Sequence, residues 1–184
     1  MVASDSRSNT PTDVRCCHDR LRPPSGYAAI VRIERVLDAA VVEAGAELFE
    51  ETPTAAAAEQ FLSSPGHYLL FAYADDAEDG AVGAIGMISG VETTHPDKGT
   101  EMFLYELGVV PTARKRGIAT ELIRALAALA KARGCYGMWV DVDADNAAAL
   151  ATYRRAGAQK EAACVEAACV VQPWNFTKPG RHDC

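Results

Sequence analysis

A chain of 184 residues with a formal charge of −7 lacks the basic excess that a nucleic-acid footprint requires, and its acidity suits a cationic partner instead. Hydrophobic residues make up 49% and charged residues 23%, the balance of one globular domain with a sizeable core. No apolar run reaches the roughly 18 residues of a membrane span and no apolar h-region opens the chain, so a cytoplasmic location without membrane contact is expected.

Residues 1–26 mix both charge signs with Ser, Thr and Pro and show no periodicity. They are expected to be a disordered extension ahead of a domain spanning 27–174, with 175–184 as a tail. Tyr27 to Ile33 predicts a first strand, and Asp38 then caps a helix carrying Ala39, Val42, Ala46 and Phe49 near one face until Pro53 ends it. A second helix, Thr54 to Leu62, stops at Ser63-Ser64-Pro65-Gly66. Tyr68 to Ala74 and Ala81 to Val91, joined by the acidic turn Asp75 to Gly80, read as an antiparallel hairpin. A second turn, Thr93 to Gly99, returns the chain into the strand Phe103 to Val110, which Pro111 ends. Glu106 interrupts that apolar run.

Ile118, Leu122, Ala125, Leu126 and Leu129 recur at helical spacing, with Gly134 where a helix C-terminus favours positive φ. The run Cys135 to Val142 follows as a strand parallel to the one bearing Glu106, by the right-handed crossover rule. Asp145 or Asn146 caps a helix from Ala147 to Arg155, and Ala162 to Gln172 predicts a last strand, antiparallel at the far edge. The order predicts an α/β (α+β mixed) fold, a central mixed and mostly antiparallel sheet flanked by about four helices. Six cysteines form no CxxC pair, and Cys16, Cys17 and His18 have no further ligand nearby, so reduced thiols and no metal are expected.

Chemistry concentrates in the turn Arg114-Lys115-Arg116-Gly117-Ile118-Ala119. The first turn of a helix has unpaired N–H groups and partial positive charge, a glycine admits a bulky anion to the backbone, and three cations surround it. That pattern is a pyrophosphate cradle without the GxxxxGK[ST] of a nucleotide loop or a GxGxxG dinucleotide motif. The same residues equally describe a solvated basic helix start.

Arg114-x-x-Gly117-x-Ala119, behind an apolar strand and ahead of an amphipathic helix, resembles the acetyl-CoA-binding motif R/Q-x-x-G-x-G/A of the GNAT superfamily of N-acetyltransferases. Asp145-Asn146 to Tyr153, in DNAAALATYRRAG, resembles its next signature, N-x-x-A-x-x-x-Y-x-x-x-G, and the likeness covers roughly Ile30 to Trp174. Within the superfamily, Tyr105-Glu106-Leu107-Gly108-Val109 resembles the Y-[D/E]-L-x-V strand of type I aminoglycoside 3-N-acetyltransferases, and Asp143 falls where those carry an acidic residue.

The resemblance implies acetyl-CoA as cosubstrate. It also implies a parallel strand pair that splays beyond Glu106 and a pantetheine arm paired with the backbone of Leu107, Gly108 and Val109. Arg114, Lys115, Arg116, Gly117, Ile118, Ala119 and Thr120 would hold the pyrophosphate, with Asn146 and Tyr153 completing the coenzyme site. Homodimers are common among such relatives. Glu106 is the expected general base, the Val109 N–H the group that polarises the thioester carbonyl, and Tyr153 the acid for the departing thiolate. Glu50 and Glu51, between the first two helices, and Asp143 are expected to bind a cationic amine, with Glu92, Asp97 and Glu101 adding negative potential. Surface carboxylates, turn caps and a helix-core tyrosine are the structural alternatives for these residues. The expected reaction is transfer of acetyl to an aminoglycoside amine, at the 3-position; a polyamine, an amino acid or a protein N-terminus is the alternative acceptor, and a non-catalytic acyl-CoA sensor the alternative class.

Overall fold

The computed structural model describes residues 31–74, 83–159 and 169–176. The expected extension at 1–26 and the strand start at Tyr27 lie outside them, as do the acidic turn from Asp75, residues 162–168 and all of the tail beyond Phe176. Within the described residues, six strands form one sheet in chain order: β1 (Val31–Arg35), β2 (His67–Ala74), β3 (Gly86–His95), β4 (Gly99–Val109), β5 (Gly137–Asp143) and β6 (Cys169–Asn175). All neighbours are antiparallel except β4 and β5, which the helix between them makes parallel.

Among the described residues, four α-helices accompany the sheet: α1 (Ala39–Ala44), α2 (Ala55–Ser63), α3 (Ile118–Ala132) and α4 (Ala147–Arg155). Side-chain caps start three of them, Asp38 accepting from Ala40, Thr54 from Ala57 and Asn146 from Ala149. Asn146, rather than Asp145, therefore caps α4. The single first helix expected from Ala39 to Phe49 is corrected: α1 stops at Ala44 and Ala46–Leu48 continues as a 3₁₀ turn. Val42, Gly45 and Leu48 become the buried positions, a spacing of three that suits 3₁₀ winding, and Phe49 leaves in extended conformation. β3 and β4 also outrun their expected ends, pairing from His95↔Gly99 onward, so the turn shrinks to three residues. Pro173 sits inside β6, where an edge strand tolerates its missing donor.

The helices cover one face of the sheet broadly and the other over β2 and β3. On one, Leu70, Ile88, Met102, Leu104, Met138 and Val140 pack against Ile118, Leu122 and Leu126 of α3, joined by Leu150 and Tyr153 of α4. On the other, Leu69, Phe71 and Met87 lie beneath Val42, Leu48 and Ala58. Each such side chain contributes about 1.5–3 kcal/mol on burial. Arg124 ties the two rear helices together, pairing with buried Glu121 at 2.6 Å and donating to the Arg155 carbonyl at 3.3 Å.

Two irregularities in β4 position the site. Its register against β3 steps between Ser89↔Glu106 and Gly90↔Leu104, leaving Tyr105 as an extra residue, a β-bulge. Its ladder to β5 consists of Met102↔Met138 and Phe103↔Trp139 alone, so the parallel strands part immediately afterwards.

Candidate active site

Alternation alone would point Glu106 at α3, on the face of Met102 and Leu104. The bulge at Tyr105 shifts the phase, so Leu107 and Val109 pack toward the α3 core while Glu106 and Gly108 turn to the α1–α2 face. Gly108 locates that face: a Cβ there would lie 2.6 Å from the Leu48 carbonyl oxygen, so the 3₁₀ turn rests directly on this backbone. Glu106 is half-buried beside it. Burial pushes its carboxyl above the ordinary range; a hydrogen bond from the Glu50 backbone N–H opposes the rise and the Glu50 charge adds to it. Glu50 thus reaches the predicted base, while Glu51 is simply exposed.

The parting frees main-chain groups. Val110 N–H bonds the Ile85 carbonyl in register with β3, so Val110, Gly108 and Glu106 direct their backbone groups to β3, and Leu107 and Val109 direct theirs toward the gap before β5. The expectation that Leu107, Gly108 and Val109 all offer backbone groups there is corrected for Gly108, whose bonds are committed to the sheet. Arg114 Nε donates to the Val109 carbonyl at 3.1 Å, which leaves the Val109 N–H as this residue's group for a ligand.

At the head of α3, Gly117 is the N-cap with φ 87°, a left-handed conformation that a glycine adopts freely, and Lys115 beside it has φ 60°. Nothing lies within 4 Å of where a Gly117 Cβ would be. The first intrahelical bond runs from Glu121 N–H to the Gly117 carbonyl, so the N–H groups of Ile118, Ala119 and Thr120 have no helical partner. Ile118 and Thr120 side chains are buried, so these residues present only backbone groups at the helix start; Arg114, Lys115 and Arg116 are exposed around them.

Across the parting, Asp141, Val142, Asp143, Asn146, Ala149 and Tyr153 line a recess of about 260 Å³. Asp141 and Asp143 alternate on the face that Glu106 shares, and both are exposed. Asp145, the other candidate cap of α4, lies in the turn beyond β5, where its carbonyl accepts from Ala147. Tyr153 is buried edge-on to Trp174, and burial raises its hydroxyl above the usual tyrosine value.

Part of the expected acidic groove is corrected. Glu92 lies on the α3 face and is neutralised there by Arg133 Nε and the Tyr68 hydroxyl, both at 2.8 Å; the Arg133 bond foremost holds its carboxyl below the ordinary range. Asp97 pairs with His95 in the hairpin turn. Glu101 is on the Glu106 face but accepts from Tyr136 at 2.7 Å, which pushes the Tyr136 hydroxyl up to about 12. The bulge at Tyr105, whose side chain is 67% exposed, leaves no mark in the sequence, because tyrosine is a good strand residue wherever it stands. Among the described residues, no three His, Cys, Asp or Glu side chains converge as a metal site would, and no helix is long and apolar enough to cross a membrane.

Comparison with known proteins finds the same fold. An aminoglycoside acetyltransferase from an uncultured soil metagenomic sample, solved with sisomicin, superposes with a TM-score of 0.64 at 19% identity, covering 74% of this chain and 93% of its own. Arabidopsis thaliana NAA60 in complex with acetyl-CoA gives 0.62 at 18% identity, over 79% and 98% of the two chains. The ribosomal-protein-S18-alanine N-acetyltransferase of Escherichia coli gives 0.57 at 15%, over 83% and 98%. At these identities the likeness is one of fold. Among curated proteins no sequence match is found. The sequence pattern of the Acetyltransferase (GNAT) family, however, matches residues 33–158, from β1 to the end of α4, and by that match the chain belongs to the GNAT family of acetyltransferases.

Proposed function

We propose that this acetyltransferase moves acetyl from acetyl-CoA directly to an amino group of an aminoglycoside, the 3-amino group, with Glu106 as general base. The observation that carries the reading is the juxtaposition at the parting of β4 and β5. The main-chain groups of Leu107 and the Val109 N–H, without partners among the described residues, lie along one side, a half-buried carboxyl beside them, and exposed Asp141 and Asp143 opposite.

The residues fit the coenzyme. Open space over Gly117, the partnerless N–H groups of Ile118, Ala119 and Thr120, and the exposed cations Arg114, Lys115 and Arg116 suit a diphosphate. Leu107 and Val109 offer an extended arm the pairing that β5 does not take up. Asn146 and Tyr153 close the far wall of the recess. Bound there, the coenzyme supplies the activated acyl group.

An ammonium group cannot attack until it loses a proton, and Glu106 receives it; its raised pKa keeps the carboxylate basic enough to do so. The Val109 N–H donates to the thioester carbonyl oxygen as charge builds on it, and the Tyr153 hydroxyl returns a proton to the leaving sulfur. Glu50 and Asp143, with Asp141, give the acceptor side a concentrated negative potential that favours a polycation, and Glu51 adds to it at longer range. The finer assignment to the 3-position rests on the Tyr105-to-Val109 phrase and its resemblance to type I enzymes.

The test is thiol release from acetyl-CoA with gentamicin-type aminoglycosides, polyamines, amino acids and peptides as separate acceptors. Turnover confined to aminoglycosides, with the product acetylated at the 3-amino group, supports the proposal. Turnover with another amine alone moves the acceptor, and coenzyme binding without any turnover makes the protein a sensor.

A further inference from the structure

Ser89 lies in the middle of β3 with 5% of its surface exposed, and its Oγ has no hydrogen-bond partner among the described residues. A buried hydroxyl left unpaired costs roughly 1–3 kcal/mol, so a native chain that keeps one has a use for it. Its place in the sheet narrows that use. Ile88, packed in the α3 core, and Met87, packed beneath α1 and α2, fix the alternation along β3, and Ser89 takes the side of Met87. On that face the rung reads Leu69, Ser89, Glu106, since Ser89 pairs with Leu69 on β2 and Glu106 on β4. One neighbour is a hydrocarbon and the other is the candidate base, whose side chain stands about 4.5–5.5 Å away at Cβ, the span one water bridges.

We propose that Ser89 is the positioning residue of the proton relay, its hydroxyl holding, together with the Glu106 carboxylate, the water that carries the acceptor's proton to Glu106. The inference rests on the assignment of Glu106 as base. The ammonium N–H bond breaks and its proton passes to the water, which gives another of its protons to the carboxylate. The freed nitrogen lone pair then forms the C–N bond to the acyl carbon as the C–S bond breaks; the departing thiolate takes the Tyr153 proton, and the second proton, shed by the new amide nitrogen, leaves to solvent, from which Tyr153 is reprotonated. Directly above the bulge that brings Glu106 out of the core, Ser89 supplies what an apolar residue would not: a donor that fixes the water's orientation and supports the carboxylate's negative charge. The charged groups sharing this face are Glu50, beside the base, Glu101 farther along β4 and bonded by Tyr136, the Arg32–Glu34 pair on β1, and Asp141 and Asp143 on β5 across the parting.

The experiment follows the carboxyl carbon of Glu106 by NMR through a pH titration of the full chain without substrates, in the wild type, Ser89→Ala and Ser89→Thr. The pH dependence of kcat is then measured with the best acceptor. Losing the donor should raise the proton affinity of Glu106 by about tenfold in Ser89→Ala and lower kcat by about tenfold, moving the acidic limb to higher pH. The KM for acetyl-CoA should stay constant. Ser89→Thr, which restores the hydroxyl, should recover both readouts. The melting temperature of Ser89→Ala should stay close to that of the wild type, because the hydroxyl makes no bond to the described protein residues, and this separates the role from a structural one. An unchanged Glu106 titration in Ser89→Ala overturns the proposal even if no acceptor is found. An inactive Glu106→Gln beside a fully active Ser89→Ala overturns it while leaving the base assignment standing, and a fully active Glu106→Gln overturns both.

Discussion

The two halves of β4 are made of similar residues and do different work. Before the bulge, Met102 and Leu104 are 0% and 1% exposed, and the strand is paired to β5 through Met102 and Phe103. After it, Leu107, Gly108 and Val109 are only half-buried and paired on the β3 side alone. The first half stabilises the domain. The second leaves part of its hydrogen bonding and a desolvated carboxyl uncompensated, which is the state a binding site needs and a core does not tolerate.

Exchanging one residue in each half breaks the comparison most sharply. Glu106→Gln should lower kcat by about 10²–10⁴-fold with little change in acetyl-CoA affinity, measured by steady-state kinetics beside calorimetry. Leu104→Ala should cost about 2–5 kcal/mol in denaturant unfolding while kcat per folded molecule holds, because the cavity it leaves is on the α3 side. If Leu104→Ala abolished turnover in the folded protein, the division of labour within β4 would be wrong.

Smaller effects sharpen the picture. At the head of α3, Gly117→Ala forces a Cβ into the left-handed region at a cost of about 1–2 kcal/mol, and it should raise the KM for acetyl-CoA several-fold more than it changes kcat. Asp143→Asn should raise the KM of a cationic acceptor and leave that of acetyl-CoA alone. The smallest expected effect is on stability against pH. The folded protein holds the Glu106 proton over a window in which the unfolded chain has released it, so stability falls as pH rises from the ordinary carboxylate range through the raised value. Glu106→Gln should remove that decline and melt slightly higher than wild type at neutral pH, with no advantage below the window.

What the sequence made legible, and what it did not, follows the same division. Apolar runs and helical spacing identified β2, α3 and β5, and the capping residues Asp38 and Asn146 announced helix starts through a local bond each. The turn from Arg114 to Thr120 was readable because a glycine with positive φ, flanked by cations before an apolar helix, is a local pattern. The bulge was not, since Tyr105 obeys strand propensity and only the register with β3 reveals the extra residue. Nor was the fate of Glu92, whose partners Arg133 and Tyr68 are distant in sequence and meet it through the fold. The break of the first helix at Gly45 escaped as well, because the choice between 3.6- and 3-residue winding depended on which of Ala46 and Leu48 reached the sheet.

The central claim is that the main chain of Leu107 and Val109, facing the gap between β4 and β5, is where the coenzyme pairs. Residue-resolved amide hydrogen exchange with and without saturating acetyl-CoA tests it directly. The account predicts new protection at Leu107 and Val109, and none at Gly108, which is already bonded to β3, or at Leu104 before the bulge. Unchanged exchange at Val109 in the saturated protein would contradict it.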